Sequence, residues 1–243
     1  MLPAMPLDAI AAEPLSTKNA RADWLVPLGL VALGLIPALG GAARLASFVD
    51  ARAAQADSAR FAPHPAVLAA HIVAALTFSL LGALQFSSGL RRRRAALHRA
   101  AGRLLAPAGI AAALSGFATL GVFAAAPTAG ALLHAMRVAS GIALIGSIAL
   151  GLAAVRRRDY PAHGRWMTRA YAIGVAPGTQ GLVLAPLYFV FRVDTVASYT
   201  AVMALGWIVN AVVAEKIIAA RARATPRPRR TPSGASCGAR GCV

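Results

Sequence analysis

Four of the five histidines in this 243-residue chain recur in a pattern that ligand chemistry could use. His71 and His134 each stand near the start of an apolar run. His98 and His163 stand among arginines, in "LHRAAGR" and "HGRWMTRAYA", just ahead of two further runs. His98 follows His71 by 27 residues, and His163 follows His134 by 29. Beyond each second histidine the register tightens. Gly109 and Gly116 follow His98 by 11 and 18 residues, and Gly174 and Gly181 follow His163 by the same 11 and 18. Those steps return to almost one face of a helix with 3.6 residues per turn. Each of the two histidines therefore heads a stripe of glycines, with Gly102 added in the first. Such a stripe lets helices approach closely or leaves room for a flat ligand. His71, Phe78, Gly82 and Gln85 share a face in the same way, as do His134, Gly141 and Ile145.

Two histidines facing each other across a helical bundle can supply both axial ligands of a haem iron, with nearby cations holding the propionates. The expected sites are an outer layer of His71 and His134 and an inner layer of His98 and His163, each suited to haem b. Arg137, one turn from His134, is the outer cation, and Arg99, Arg103, Arg165 and Arg169 are the inner ones. His98 and His163 precede their apolar cores. The Ala-rich "AALHRAAGRLLA" can extend a helix back past His98, and Pro161 can open one just before His163. His64 falls outside the pattern. A competing expectation is that the His/Arg motifs cap helices and contact lipid phosphates.

The elements that must position these residues are long and apolar. The chain is 58% hydrophobic and only 14% charged, against about a quarter charged in soluble domains. Apolar runs of the roughly 20 residues needed to cross a bilayer predict six spans, at 24–43, 66–88, 104–126, 130–154, 167–190 and 197–219. The expected fold class is an all-α polytopic membrane protein. Its four-helix core is pseudo-repeated, spans 2–3 and 4–5 being two hairpins of one orientation, with the first and last spans outside. Residues 1–23 form an N-terminal segment, 24–219 the transmembrane domain and 220–243 a basic tail.

The net charge of +17 is a topology signal. Of 25 Lys and Arg, two precede the first span, six lie in the second loop, five around the fourth connection and seven at the C-terminal end. These twenty share one side. The positive-inside rule then places both termini and both Arg-rich loops in the cytoplasm of a cell with a bacterial-type inner membrane. Anionic lipids at that face are the expected partners. Nucleic acid is not, because the arginines sit in short loops without interleaved aromatics.

The leader carries Asp8, Glu13 and Asp23 before a full-length run, which favours a retained first helix over a cleaved signal. The tail "RARATPRPRRTPSGASCGARGCV" has no apolar period and reads as disordered. Its Cys237 and Cys242 do not form a prenylation box and read as free thiols. No phosphate loop, HExxH or paired carboxylates appear, and no acid is placed to orient a Ser/His triad.

A second functional reading centres on the fifth span, "AIGVAPGTQGLVLAP". Pro177 there removes a backbone hydrogen bond and can break the helix, freeing carbonyls for a ligand. Thr179 and Gln180 lie at that depth, with Gln85 on the second span and Asn210 on the sixth as polar candidates to join them. This reading is a non-redox protein or transporter that binds a small ligand or anionic lipid. No acid lies deep in the membrane for proton coupling, and Glu215 beside Lys216 reads as a surface carboxylate.

The stretches "HIVAALTFSLLGALQF", "LHRAAGR", "HGRWMTRAYA", "GTQ" and "WIVNAVVAE" resemble an uncharacterised bacterial membrane family, domain of unknown function 2306, over about residues 64–219. The resemblance implies a multi-span membrane fold and brings no activity with it. The placing of histidines on spans 2 and 4 and on spans 3 and 5 is similar, in topology alone, to the two-haem cytochrome b561 family. That likeness implies electron transfer between a donor and an acceptor on opposite sides.

Overall fold

The structure, a computed structural model, describes residues 17–49, 58–191 and 195–224. Most of the basic tail, with Cys237 and Cys242, and the leader up to residue 16 lie outside the described residues. Six helical segments are long and apolar enough to cross a membrane, and no strand occurs among the described residues.

Helix α1 (Thr17–Ala46) provides the first span, and α2 (Pro65–Leu76) begins the second. The chain then makes a π turn at Thr77–Leu81 and a 3-10 turn at Leu84–Phe86. A short α3 (Ser88–Arg93) carries three of the loop arginines, its first turn capped by Ser87 Oγ, which accepts from the Leu90 N–H at 3.1 Å. Helix α4 (Ala95–Val122) is the third span and α5 (Ala131–Arg156) the fourth. The fifth span is divided into α6 (Tyr160–Gly174) and α7 (Ala176–Phe191), and α8 (Val196–Ala224) is the sixth.

Both inner histidines lie within helices. Ala95–Ala101 is rich in helix formers, so α4 starts three residues before His98. Helix α6 opens with Pro161 in its first turn, while Asp159 at the N-cap accepts the Ala162 N–H at 2.9 Å. Asp at an N-cap satisfies one of the orphan donors of the first turn. Arg158, with φ of 60°, makes the tight reversal between α5 and α6.

Packing is dominated by aromatic rings set against glycines. A Cβ at Gly109 of α4 would meet Phe78 Cε2 at 2.7 Å, and one at Gly174 of α6 would meet Phe78 Cε1 at 2.5 Å. The two glycines that follow His98 and His163 by 11 residues therefore hold opposite edges of one ring. The gap under the paired glycines is filled by the protein itself. Farther along the stripes, Gly116 lies against the His71 ring and Gly181 against Ile36. The π turn that presents Phe78 also frees geometry at Ser79, whose carbonyl accepts the Tyr171 hydroxyl at 2.8 Å. Tyr171 and Phe78 belong to the main buried cluster, with Leu144, Ile148 and Val175.

The first span does not stand apart from this core. Gly34 and Gly41 of α1 receive Leu80 and Ile72, and Gly178 and Gly181 of α7 are faced by Leu33 and Ile36. At the Arg-rich end α1 is also tied down by Asp23, which accepts from Ser88 Oγ and pairs with Arg92 at 3.6 Å.

Candidate functional site

The break in the fifth span is where expected. Pro177 cannot donate a backbone hydrogen bond, and the helix stops at Gly174 and restarts at Ala176, with the Gly178 N–H donating to the Val175 carbonyl at 3.0 Å. Its polar groups engage one another. Thr179 Oγ1 donates to Asn210 Oδ1 at 2.8 Å, Asn210 Nδ2 donates to the Ala172 carbonyl at 3.0 Å, and Gln180 Nε2 donates to the Met203 carbonyl at 3.0 Å. These bonds fasten α8 across the break. Gln85 does not join them. It sits in the 3-10 turn at the Arg-rich end, where its carbonyl accepts from Arg91 Nη1 at 2.9 Å and its own Nε2 is enclosed without a partner.

Three of the four layered histidines use their rings in one way. His71 Nδ1 lies 3.0 Å from the Ala112 carbonyl on α4 and 3.2 Å from Ser115 Oγ. His163 Nδ1 lies 3.0 Å from the Gly151 carbonyl on α5, and His134 Nδ1 lies 3.1 Å from the Gly130 carbonyl of its own helix. A carbonyl only accepts, so in each case Nδ1 carries a proton, and a ring that holds a single proton keeps Nε2 bare. That is the tautomer a metal-ligating histidine adopts, its other nitrogen donating to a carbonyl.

The two layers differ in how far their members come together. In the inner layer His98 is half-buried with its Nδ1 enclosed and unpartnered, and Arg91, His163 and Arg99 lie within electrostatic range of it. In the outer layer no hydrogen bond or ring contact among the described residues joins His71 to His134. The cavity beside His71, between α1, α2 and the α6–α7 break, measures about 130 Å³. That is well below the roughly 300–1,000 Å³ of small-molecule and cofactor pockets.

The cations divide similarly. Arg99, Arg103 and Arg165 are exposed at the Arg-rich face. Arg169 is committed elsewhere. Its Nε and Nη2 donate to the two carboxylate oxygens of Glu215 at 2.6 and 3.0 Å, and its guanidinium lies 4.8 Å over the Trp166 ring. Glu215 is exposed, as a surface carboxylate is, and is also half of a bidentate pair that joins α6 to α8. Arg137 is half-buried, and its guanidinium makes no hydrogen bond or ion pair to another described residue.

Sequence reasoning missed Arg91 and Asp23. Burial and the guanidiniums of Arg221 and Arg92 lower the Arg91 pKa from its ordinary value, and Asp23 opposes them. The sequence shows Arg91 only as one of four consecutive arginines. Nothing distinguishes it from its neighbours until α3 and α8 are placed together. No cluster of three or more potential metal-ligating side chains occurs among the described residues.

An all-α bundle of six apolar spans, with arginines gathered at one end and protein-filled seams between, defines an integral membrane protein. The chain belongs to the family described as predicted membrane protein DUF2306, whose model matches residues 68–218. No curated protein and no solved structure matches it.

Proposed function

We propose that this protein is a b-type haem protein of the bacterial inner membrane that passes electrons across the bilayer, with both termini in the cytoplasm. His98 and His163 would hold a haem at the Arg-rich face, flanked by Arg91, Arg99, Arg103 and Arg165 for the propionates. His71 and His134 would serve a second haem on the opposite side, with Arg137 beside it. The observation that carries this reading is the shared tautomer: Nδ1–H of His71, His134 and His163 is taken by a backbone carbonyl, and Nε2 is left for a ligand. The inner pair is the better supported, because His98 and His163 lie within electrostatic range of each other. The outer pair requires α2 and α5 to share a macrocycle across the α4 seam. Haem supplies one-electron chemistry when bound. The chain supplies axial nitrogens, cations and an apolar surround that sets the potential.

The test is an oxidised-versus-reduced absorption spectrum of protein purified in mild detergent after expression with haem precursor. A sharp b-type band near one or two haems per chain, lost in His163→Asn or His98→Ala, is the expected result. A folded, colourless protein would overturn the reading.

A second reading is supported by the exposed Arg99, Arg103 and Arg165: binding of anionic lipid at the Arg-rich face. It expects Arg99→Ala and Arg165→Ala to weaken co-purification of anionic phospholipid as strongly as the histidine changes do, with no chromophore. The broken fifth helix gives the small-ligand variant of that reading less support, since its polar groups are taken up by one another.

A further inference from the structure

A cavity of about 310 Å³ lies between α5, α6 and α8, and none of the four layered histidines lines it. Its walls are made of small side chains. Ser140, Ala143 and Ser147 on α5 follow helical spacing, and Ala211 and Ala214 on α8 do the same, so each helix turns a shallow face inward. Arg169 and Glu215 close the end toward the Arg-rich side, and Trp207 stands at the other. Ala143 and Ala211 are exposed, so the cavity opens sideways, where lipid lies around a membrane span.

The polar end selects the chemistry of an occupant. The Ser147 side chain is only 6% exposed, lines the cavity, and makes no hydrogen bond to another described residue. Its hydroxyl opens onto the cavity and can bond a ligand oxygen placed there. Arg169 and Glu215 neutralise each other through a bidentate contact. An anionic head would have to displace Glu215. A neutral head need not, because the guanidinium keeps N–H donors outside the pair and the carboxylate keeps lone pairs. Ser147 and Arg169 would donate and Glu215 would accept. The volume is that of a small-ligand pocket rather than a packing defect.

We propose that this cavity binds a neutral, membrane-soluble amphiphile whose ring head carries carbonyl or hydroxyl oxygens, the chemical class of membrane quinones and quinols. The head rests against Ser147, Arg169 and Glu215, and the apolar tail leaves between Ala143 and Ala211. Its role as the electron partner of the inner haem rests on the haem reading; its binding does not.

The test uses the full chain in phosphatidylcholine nanodiscs and a decyl-substituted benzoquinone as probe, read by quenching of tryptophan fluorescence. Saturable quenching is expected. Ala211→Phe, which fills the opening from an exposed position, and Ser147→Ala should each weaken it about tenfold, a change of about 1.4 kcal/mol. Leu132→Phe on an exposed face of α5 should not. Quenching that rises without saturation, or that saturates equally in Ala211→Phe, overturns the proposal. So does displacement of the probe by added phosphatidylglycerol, which would assign the cavity to anionic lipid. Haem content is read from the absorption of the same samples. Saturable binding in colourless protein sinks only the haem reading, and haem without binding sinks only this one.

Discussion

At the scale of single residues, the histidines can be given two jobs that a suitable substitution separates. His163 and His71 each donate through Nδ1 to a carbonyl on the neighbouring helix, which is a cross-helix clamp whatever Nε2 does. Asparagine can place an N–H donor near Nδ1 but has nothing at the position of Nε2. His163→Asn should therefore keep the bundle's thermal stability within about 1 kcal/mol of wild type while abolishing any haem band. His163→Ala should lose both, the stability by about 0.5–1.5 kcal/mol for one hydrogen bond. A haem band surviving in His163→Asn would remove this residue from the ligand set. At Arg169 the pair with Glu215 is partly exposed, 33% and 54% for the two side chains. Glu215→Gln should accordingly cost little stability in detergent, within the 0–1 kcal/mol of solvent-accessible pairs. A much larger loss would mean the pair is desolvated in the bilayer.

At the scale of helices, the seam between the third and fifth spans depends on a ring held by two glycines. A methyl at Gly109 or Gly174 would come within 2.7 or 2.5 Å of Phe78, so Gly109→Ala and Gly174→Ala should each destabilise by about 1–3 kcal/mol of overpacking. Thermal unfolding in detergent measures this, and adding Phe78→Leu should return part of the loss. If the double variant is no more stable than the single, Phe78 is not the obstacle. The tie across the helix break gives a further prediction. A double-mutant cycle on Thr179→Val and Asn210→Leu should return a coupling of about 0.6 kcal/mol, up to about 1.7, as for other hydrogen bonds between membrane helices. The extents of the helices were legible in the sequence, because run length, the Pro161 and Pro177 signals and the Ala-rich extension act locally. Which surfaces meet was not. The 11-residue register marked Gly109 and Gly174 as special, yet that Phe78 would occupy the space depends on a π turn no spacing announces.

At the scale of the whole molecule, the charge pattern predicts one orientation, with the Arg-rich end in the cytoplasm. Asp23 of α1 pairs with Arg92 of α3, and Arg91 lies within electrostatic range of Arg221 of α8 and of His98, so one end holds them all. Cys237 and Cys242 in the tail should therefore react with a membrane-impermeant maleimide in inverted inner-membrane vesicles and stay unlabelled in intact spheroplasts. The reverse pattern would invert the proposed topology and place the inner layer outside. The candidate site was legible only as residue types in layers. The sequence grouped His98 with His163 as residues at one end of their helices, and the fold leaves them within electrostatic range of each other. It could not tell that His71 turns into α4, away from any contact with His134, because the direction of a ring depends on helix rotation. The partnership of Arg169 with Glu215, 46 residues apart, was equally invisible.

That last pair bears on how the protein is made. The fifth span is the least hydropathic of the six, and it enters the translocon carrying Arg165 and Arg169 near one end, which disfavours its partition into lipid. Its counter-ion, Glu215, and the bonds that fasten its break, through Asn210 and Met203, are all on α8. Until residues 196–224 have followed it out of the ribosome, the fifth span has none of them. It should wait beside the translocon until the sixth arrives, so that the last two spans leave for the bilayer as a pair. Chains ended at residue 195 and extended by a polar linker long enough to clear the ribosome should accordingly integrate their fifth span poorly, and inserting residues 196–224 ahead of that linker should restore it.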